Sequence, residues 1–423
     1  PWGADPFADD PGVERLDLDL EEPDTPTRLV DETITDGESF ERGMQLALTA
    51  ILCSPHFLFR FELDGRAPPA APGPKPAGAP RVPVAELAEH ELATRLSYYL
   101  SVSLPDDELL RHVQAGTVKA NLEAQARRLL ADPKARRFVA QFATQWLQLR
   151  RLDTAAPDPG AFPGFNEALR GAMREETLRL FETLLRENRP IGELIDAPYT
   201  FVNEALARHY GIEGVRGAEF TRVDAPAKRR GLLGHASVLT ATSNPTRTSP
   251  VKRGRWVLEV LLDDPPGPPL PGMDSLNESD DQAAGKTLRQ RLERHRSDPK
   301  CSGCHSRLDP LGYGLERFDP VGGWRDLDGG LQIDDSGQLP GGPSFQGADG
   351  LRSYLRTRSR DLAKALAKKL MIFALGRGPV AADEGALDAL VDGLGPDYRV
   401  ADIVVAVTRL DAFQKRRTGR SGR

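Results

Sequence analysis

Residues 301–305 read Cys301-Ser302-Gly303-Cys304-His305, two thiols separated by two small residues with an imidazole directly behind the second. This is the C-x-x-C-H pattern of c-type haem attachment. Two thiols at this separation reach the two vinyl groups of one macrocycle, and the histidine that follows falls beneath the iron as its proximal ligand. With three cysteines and seven histidines in 423 residues, a chance match has a probability on the order of 10⁻⁴ to 10⁻³. Cys301 and Cys304 are therefore the candidate anchors of one covalent haem c, and His305 is the candidate iron ligand.

Other chemistries use paired thiols. A structural zinc site needs a fourth ligand, usually from a second paired motif, and the chain holds no second C-x-x-C and no H-x₃₋₅-H. A thioredoxin-like dithiol follows a hydrophobic strand, whereas residues 291–300 are polar and helical in pattern. Haem iron takes a sixth ligand or keeps an open site. Met371, Met273 and His235 are the candidates on the distal side, with His209 a fourth that reads better as a helix-end histidine. The residues leave that choice open.

Composition sets the frame. A net charge of −6 and 28% charged residues give no reason to expect a nucleic-acid partner. The basic clusters Arg150-Arg151 and Lys228 to Arg230 read as solvated helix surface. No run of about 18 apolar residues occurs, so no integral membrane span is expected. The chain opens Pro1-Trp2-Gly3-Ala4, without a basic-then-apolar leader, so an export signal is expected upstream. Cys53 stands alone in an apolar helical stretch and reads as a buried, inert thiol.

Most of the remainder has helical periodicity. Phe40 to Leu52 stops at Ser54-Pro55. Leu87 to Leu100 places Leu92, Leu96, Tyr99 and Leu100 in register, and Pro105 followed by three acids looks like a helix start. Arg137 to Leu149, Phe165 to Arg186, Asn203 to Tyr210 and Arg229 to Thr242 read as further helices. Ser249 and Pro250 suit the N-cap and first position of a helix over 251–262. The hydroxyl-rich loop before it, with Arg247, Lys252 and Arg253, is either an anion cradle or an ordinary capped helix. A charged helix over 286–296 leads to the cysteine motif. Glu219 to Val223 suggests a short strand and Ile333 to Phe345 a small hairpin. Helices over 351–354, 362–375, 384–394 and 400–413 complete the chain. Proline- and glycine-rich segments at 68–83 and 265–272 read as linkers.

Several of these stretches resemble known modules. Leu92 to Leu110, Gln145-Trp146-Leu147 and Thr200 to Ile212 resemble domain-of-unknown-function family 1592. Arg230 to Leu233, Thr248 to Gly254 and Cys301 to Trp324, with Leu308-Asp309-Pro310-Leu311-Gly312 and Phe318-Asp319, resemble family 1588. Phe373-Ala374-Leu375-Gly376-Arg377 resembles family 1585, and Phe40 to Glu62 resembles the end of family 1595. Such modules occur together in large exported proteins of planctomycetes, often described as cytochrome-like. The resemblance implies an extracytoplasmic haem protein and names no reaction.

The expected fold is mainly α, with several helical modules and a cytochrome-c-like haem attachment segment in the C-terminal half. The expected modules are residues 1–66, 84–225, 226–328 and 346–418. The first functional expectation is electron transfer, periplasmic or otherwise extracytoplasmic, to or from a redox partner protein or an additional haem domain. Haem-dependent oxidoreductase chemistry, peroxidase-like or oxygen-using, is the second, and an exported binding or assembly module with a structural haem the third. Arg247, Lys252, Arg253 and Arg325 are the cations expected near haem propionates.

Overall fold

In a computed structural model of the chain, residues 25–59, 62, 84–267, 287–296 and 299–417 are described. The chain folds as two compact units, residues 1–65 and residues 66–423.

The first unit is a short helical assembly of α1 (Thr25–Thr35), α2 (Phe40–Cys53) and α3 (Pro55–Leu58). Ser39 caps α2 by accepting from the Arg42 N–H. Gly43 lets α1 and α2 approach, since a Cβ there would stand 3.2 Å from the Val30 backbone. Leu29, Ala47 and Ala50 are buried, whereas Cys53 is exposed rather than the buried thiol its apolar neighbours suggest. Its side chain falls on the solvent side of α2, beside the exposed Leu48 and Leu52.

The second unit begins with β1 (Val84–Glu86), α4 (Glu89–Ser101), α5 (Asp107–Ala115), α6 (Leu122–Ala131), α7 (Ala135–Trp146) and α8 (Glu167–Arg186). The apolar register of α4 is the one read from sequence: Leu92, Leu96, Tyr99 and Leu100 are all buried. Asp106, not Pro105, starts α5, because its carboxylate accepts the Leu109 N–H while Gly116 closes the other end in the left-handed conformation. Asn166 caps α8 in the same way. Next come α9 (Glu193–Asp196), β2 (Tyr199–Val202), α10 (Glu204–Tyr210) and β3 (Thr221–Asp224), with β2 and β3 antiparallel.

Only α11 (Ala236–Ala241) realises the helix read over 229–242. Two glycines break it. Gly231 has φ +65° and lies so close to the Ile195 carbonyl that a Cβ would sit 2.0 Å from its oxygen, while Gly234 presses on the Arg229 backbone. In the cluster Lys228 to Arg230, Lys228 is exposed as expected and Arg230 is half-buried, but the middle residue is not solvated surface. Arg229 is buried, donates to the Gly322 and Gly234 carbonyls, and lies 3.9 Å from the centre of the Tyr210 ring.

Then follow α12 (Pro250–Trp256), extended by a π-helical turn over 257–261, α13 (Leu288–Arg296) and α14 (Pro299–Tyr313). Hairpins β4 (Leu327–Asp328) with β5 (Leu331–Gln332), and β6 (Ser336–Gln338) with β7 (Ser344–Gln346), are antiparallel. The chain finishes with α15 (Gly347–Arg356), α16 (Ser359–Leu375), α17 (Ala381–Asp392), α18 (Val400–Val407), α19 (Asp411–Gln414) and β8 (Lys415–Arg417).

The first and last described strands of the second unit meet. β8 pairs antiparallel with β1, and Arg95 donates to the Ala412 and Phe413 carbonyls. One hydrophobic core runs from Leu87 to Phe413, so the segments 84–225, 226–328 and 346–418 share their apolar interior. Its centre is aromatic: Tyr99, Phe138, Phe142, Trp146, Phe181, Phe373 and Phe413 pack ring on ring at 5.5–6.5 Å. Two indoles lace the first segment to the second: Trp146 donates to the Val260 carbonyl at 3.0 Å and Trp256 to the Leu147 carbonyl at 3.1 Å. Among the described residues, no helix is long and apolar enough to cross a membrane.

Candidate functional site

Helix α14 carries the cysteine motif on its first turns, starting at Pro299 in a position that suits a residue without an N–H. Its two halves have different surroundings. Gly303 and Cys304 are exposed, whereas Leu308, Asp309, Leu311, Gly312 and Tyr313 are buried. The C-terminal half is thus a root sunk in the protein, and the motif is held at the surface.

That root is gripped by α12. The two helices run in opposite directions with their backbones in contact at two points. A Cβ on Gly254 would lie 1.9 Å from the Leu308 carbonyl oxygen, and one on Gly312 would lie 1.9 Å from the Pro250 carbonyl oxygen. No other residue type permits this separation.

The C-terminal end of the root is fixed by Arg253, whose guanidinium is fully buried. It donates to the Leu315 carbonyl at 2.6 Å, the Phe318 carbonyl at 2.8 Å, the Asp319 carbonyl at 3.0 Å and Ser243 Oγ at 3.2 Å. Carbonyls just beyond a helix end lack helical donors, and a planar five-donor group satisfies several at once. Glu316 balances the charge at 3.6 Å and is itself held by Thr248 and Arg325. Burial pushes the Arg253 pKa down to about 10, still charged at neutral pH, and pushes the Glu316 carboxyl up against the pull of Arg253 and Arg325.

His305 lies on the turn between the exposed and buried halves, with its side chain 19% exposed. Its Nδ1 is 3.0 Å from Asp309 Oδ1 and 3.2 Å from Oδ2, and Asp309 is wholly buried. A spacing of four residues stacks the two side chains on one helix face. A carboxylate accepts, so Nδ1 carries the proton and iron coordination by this ring would use Nε2. The side chain of Cys301, at the third position of the helix, lies outside the described residues. The donor set suits haem c: an exposed thiol at Cys304, an imidazole next to it, and a ring tautomer that directs Nε2 to a metal.

The other expected site residues are committed elsewhere. Met371 is a core residue of α16. His235 is buried, 3.0 Å from Thr177 Oγ1, and burial pushes its pKa down to about 3. His209 donates from Nε2 to the Val321 carbonyl at 2.7 Å. Met273 lies outside the described residues. Arg253 is consumed by the carbonyls named above, so it is not a propionate partner. Arg325 pairs with Glu316 and Asp328, and Lys252 donates to Asn244 Oδ1 at 2.5 Å. Ser249 caps α12 by accepting from the Lys252 N–H, so this loop is an ordinary capped helix start.

A second buried polar group joins α8 and α10 to the segment at 229–241. Glu176 accepts from Thr200 at 2.5 Å and from Tyr210 at 2.6 Å, and burial raises its pKa to about 7. The His235 Nε2 atom stands 3.7 Å from Glu176 Oε1, and the Ala236 N–H donates to the Tyr210 hydroxyl oxygen. Among the described residues, no group of three or more His, Cys, Asp or Glu side chains is arranged to hold a metal ion.

Four family models match the chain, each described as a protein of unknown function: DUF1595 over residues 15–62, DUF1592 over 87–212, DUF1588 over 229–328 and DUF1585 over 341–413. The chain is built from four families of unknown function. The DUF1588 segment contains the cysteine motif, Asp309, both close-packed glycines and Arg253, while β6 packs on α14 from outside it, where a Cβ on Gly337 would lie 2.8 Å from the Pro310 carbonyl oxygen. The Glu176 network joins the DUF1592 segment to the DUF1588 segment, and Met371 belongs to the DUF1585 segment. No curated protein and no solved structure matches the chain.

Proposed function

We propose that the chain is an extracytoplasmic protein carrying one covalent haem c on Cys301, Cys304 and His305, and that it transfers electrons to or from a partner haem or enzyme. The observation that carries this reading is the C-x-x-C-H motif set on the exposed half of a helix whose other half is fixed in the core, with His305 oriented by Asp309. Cys301 and Cys304 would hold the haem as thioethers, each S–H adding across a vinyl C=C so that the sulfur takes one carbon and the hydrogen the other with no net oxidation. Bound haem supplies a one-electron iron couple. The chain's own part is to present the thiols, hold the imidazole through Nδ1, and keep α14 still through Gly254, Gly312 and Arg253. A rigid support suits electron transfer because little has to rearrange when the charge changes.

The second reading is a haem-dependent oxidoreductase with an open sixth position. It is favoured by the engagement of His235 and Met371 in the interior.

Expression with a cytochrome c maturation system tests both. A haem that survives denaturation and is lost in Cys301→Ala supports covalent attachment, and a chain that emerges without haem overturns it. A low-spin haem inert to carbon monoxide supports the electron carrier. A high-spin haem that binds carbon monoxide supports the oxidoreductase.

A further inference from the structure

We infer that Asp309 is a positioning residue that sets the electron-donating strength of the His305 imidazole toward iron, an inference that rests on the haem reading above. Three observations point to this. The Nδ1 atom lies within hydrogen-bond distance of both carboxylate oxygens, at 3.0 and 3.2 Å. The carboxylate is wholly buried while the ring is partly exposed, the reverse of an ordinary surface pair between helix positions four apart. Asp309 also sits next to Leu308, whose carbonyl is pressed against Gly254, so its backbone has no freedom to carry the carboxylate away from the ring.

A buried carboxylate is costly to maintain, and an apolar residue would pack the same space without that cost. The cost is offset where the carboxylate acts on another group. Metal-binding histidines generally donate their second ring N–H to such an acceptor, which fixes the tautomer and raises the basicity of the coordinating nitrogen. A more basic imidazole stabilises ferric iron over ferrous iron and lowers the reduction potential. Reduction adds one electron to iron and moves no proton, because the Nδ1 hydrogen stays between His305 and Asp309.

The test is a potentiometric titration of the full haem-loaded chain and its Asp309→Asn and Asp309→Glu variants. The amide of Asp309→Asn still accepts the hydrogen bond without the charge. It is expected to favour the ferrous form by about tenfold, a rise of about 59 mV for a one-electron couple. Asp309→Glu is expected to return the potential toward that of the parent. An Asp309→Asn protein with the parent potential overturns the inference. A merely structural role would lower the melting temperature of Asp309→Asn and leave the potential where it is. Should Asp309→Asn not fold, histidine-selective ¹⁵N NMR of the unsubstituted, haem-free chain decides, with the His305 signal assigned by its loss in His305→Gln. Protonation on Nδ1 is expected, and an Nε2–H tautomer overturns the inference. Failure of the chain to take up haem is a different result, read from the absorption spectrum, and counts against the haem reading itself.

Discussion

The backbone of Gly254 in α12 lies against the carbonyl of Leu308 in α14, so close that a Cβ would stand 1.9 Å from the oxygen. Helices normally pack through side chains at about 8–10 Å between axes. Here the backbones themselves touch, and the element bearing the cysteine motif inherits its position from that contact.

Gly254→Ala should therefore destabilise the protein. Overpacking a tight contact costs about 1–3 kcal/mol, and this contact is with backbone, which cannot rotate aside. The control is Gly171, an exposed glycine of α8 where a Cβ would meet nothing within 4 Å. Gly171→Ala should stabilise by about 0.5–1 kcal/mol through helix propensity. Thermal unfolding of the two variants side by side measures both, and an unaffected Gly254→Ala would refute the contact.

Arg253→Met should be more damaging. It leaves Glu316 buried without one of its two cations, and it strips the donors from the Leu315, Phe318 and Asp319 carbonyls. Breaking a buried pair of this kind costs about 3–5 kcal/mol. Arg253→Lys should recover only part of this, because an ammonium cannot reproduce the fork. Urea midpoints of the three proteins give the order.

The Glu176–His235 pair predicts an unusual pH profile. Glu176 is held at about 7 in the fold against 4.5 unfolded, so it binds a proton more readily when folded. Its contribution is fully present below pH 4.5 and is lost as pH rises through 7. His235 is held at about 3 against 6.5. Its contribution is present above pH 6.5 and is lost as pH falls through 3. Between pH 4.5 and 6.5 the two slopes oppose each other, and stability should vary little from this pair. Glu176→Gln should expose a stability that rises with pH in that window, and His235→Gln one that falls. Each slope is at most about 1.4 kcal/mol per pH unit. Parallel slopes in the two variants would refute the arrangement.

Cys53 and Cys304 are both exposed. A maleimide should label both on the folded, haem-free chain within the time of a surface thiol. On haem-loaded protein only Cys53 should react, because Cys304 is then a thioether. Mass spectrometry of the labelled peptides reports this, and continued labelling of Cys304 in a loaded sample would show that this thiol is not an attachment point.

Much of the molecule is legible in the sequence. The register of α4, the Ser249 cap, the strand near 219–223 and the hairpin near 333–345 all depend on short stretches of neighbouring residues. The segment 229–242 reads as one helix because its pattern is apolar enough for it. Gly231 and Gly234 are there for the close approach of Ile195 and Arg229, contacts that a local pattern does not contain. Arg229 departs from its sequence reading for the same reason: a run of basic residues looks solvated until the Gly322 carbonyl and the Tyr210 ring are placed around it.

The cysteine motif divides in the same way. Spacing and periodicity are properties of neighbouring residues, so the order of amino acids suffices to put two thiols and a histidine at haem-attachment spacing behind a charged helical segment, in a chain that is mostly helix. Only the folded chain buries Asp309 against His305, turns Arg253 inward to cap the motif helix, and draws His235 and Met371 into the interior. Those outcomes depend on which carbonyls and apolar surfaces arrive from elsewhere in the chain. Arg253, for example, meets acceptors 62 to 66 residues away. Burial sets the cost of a charge, and burial is decided only when the chain has folded.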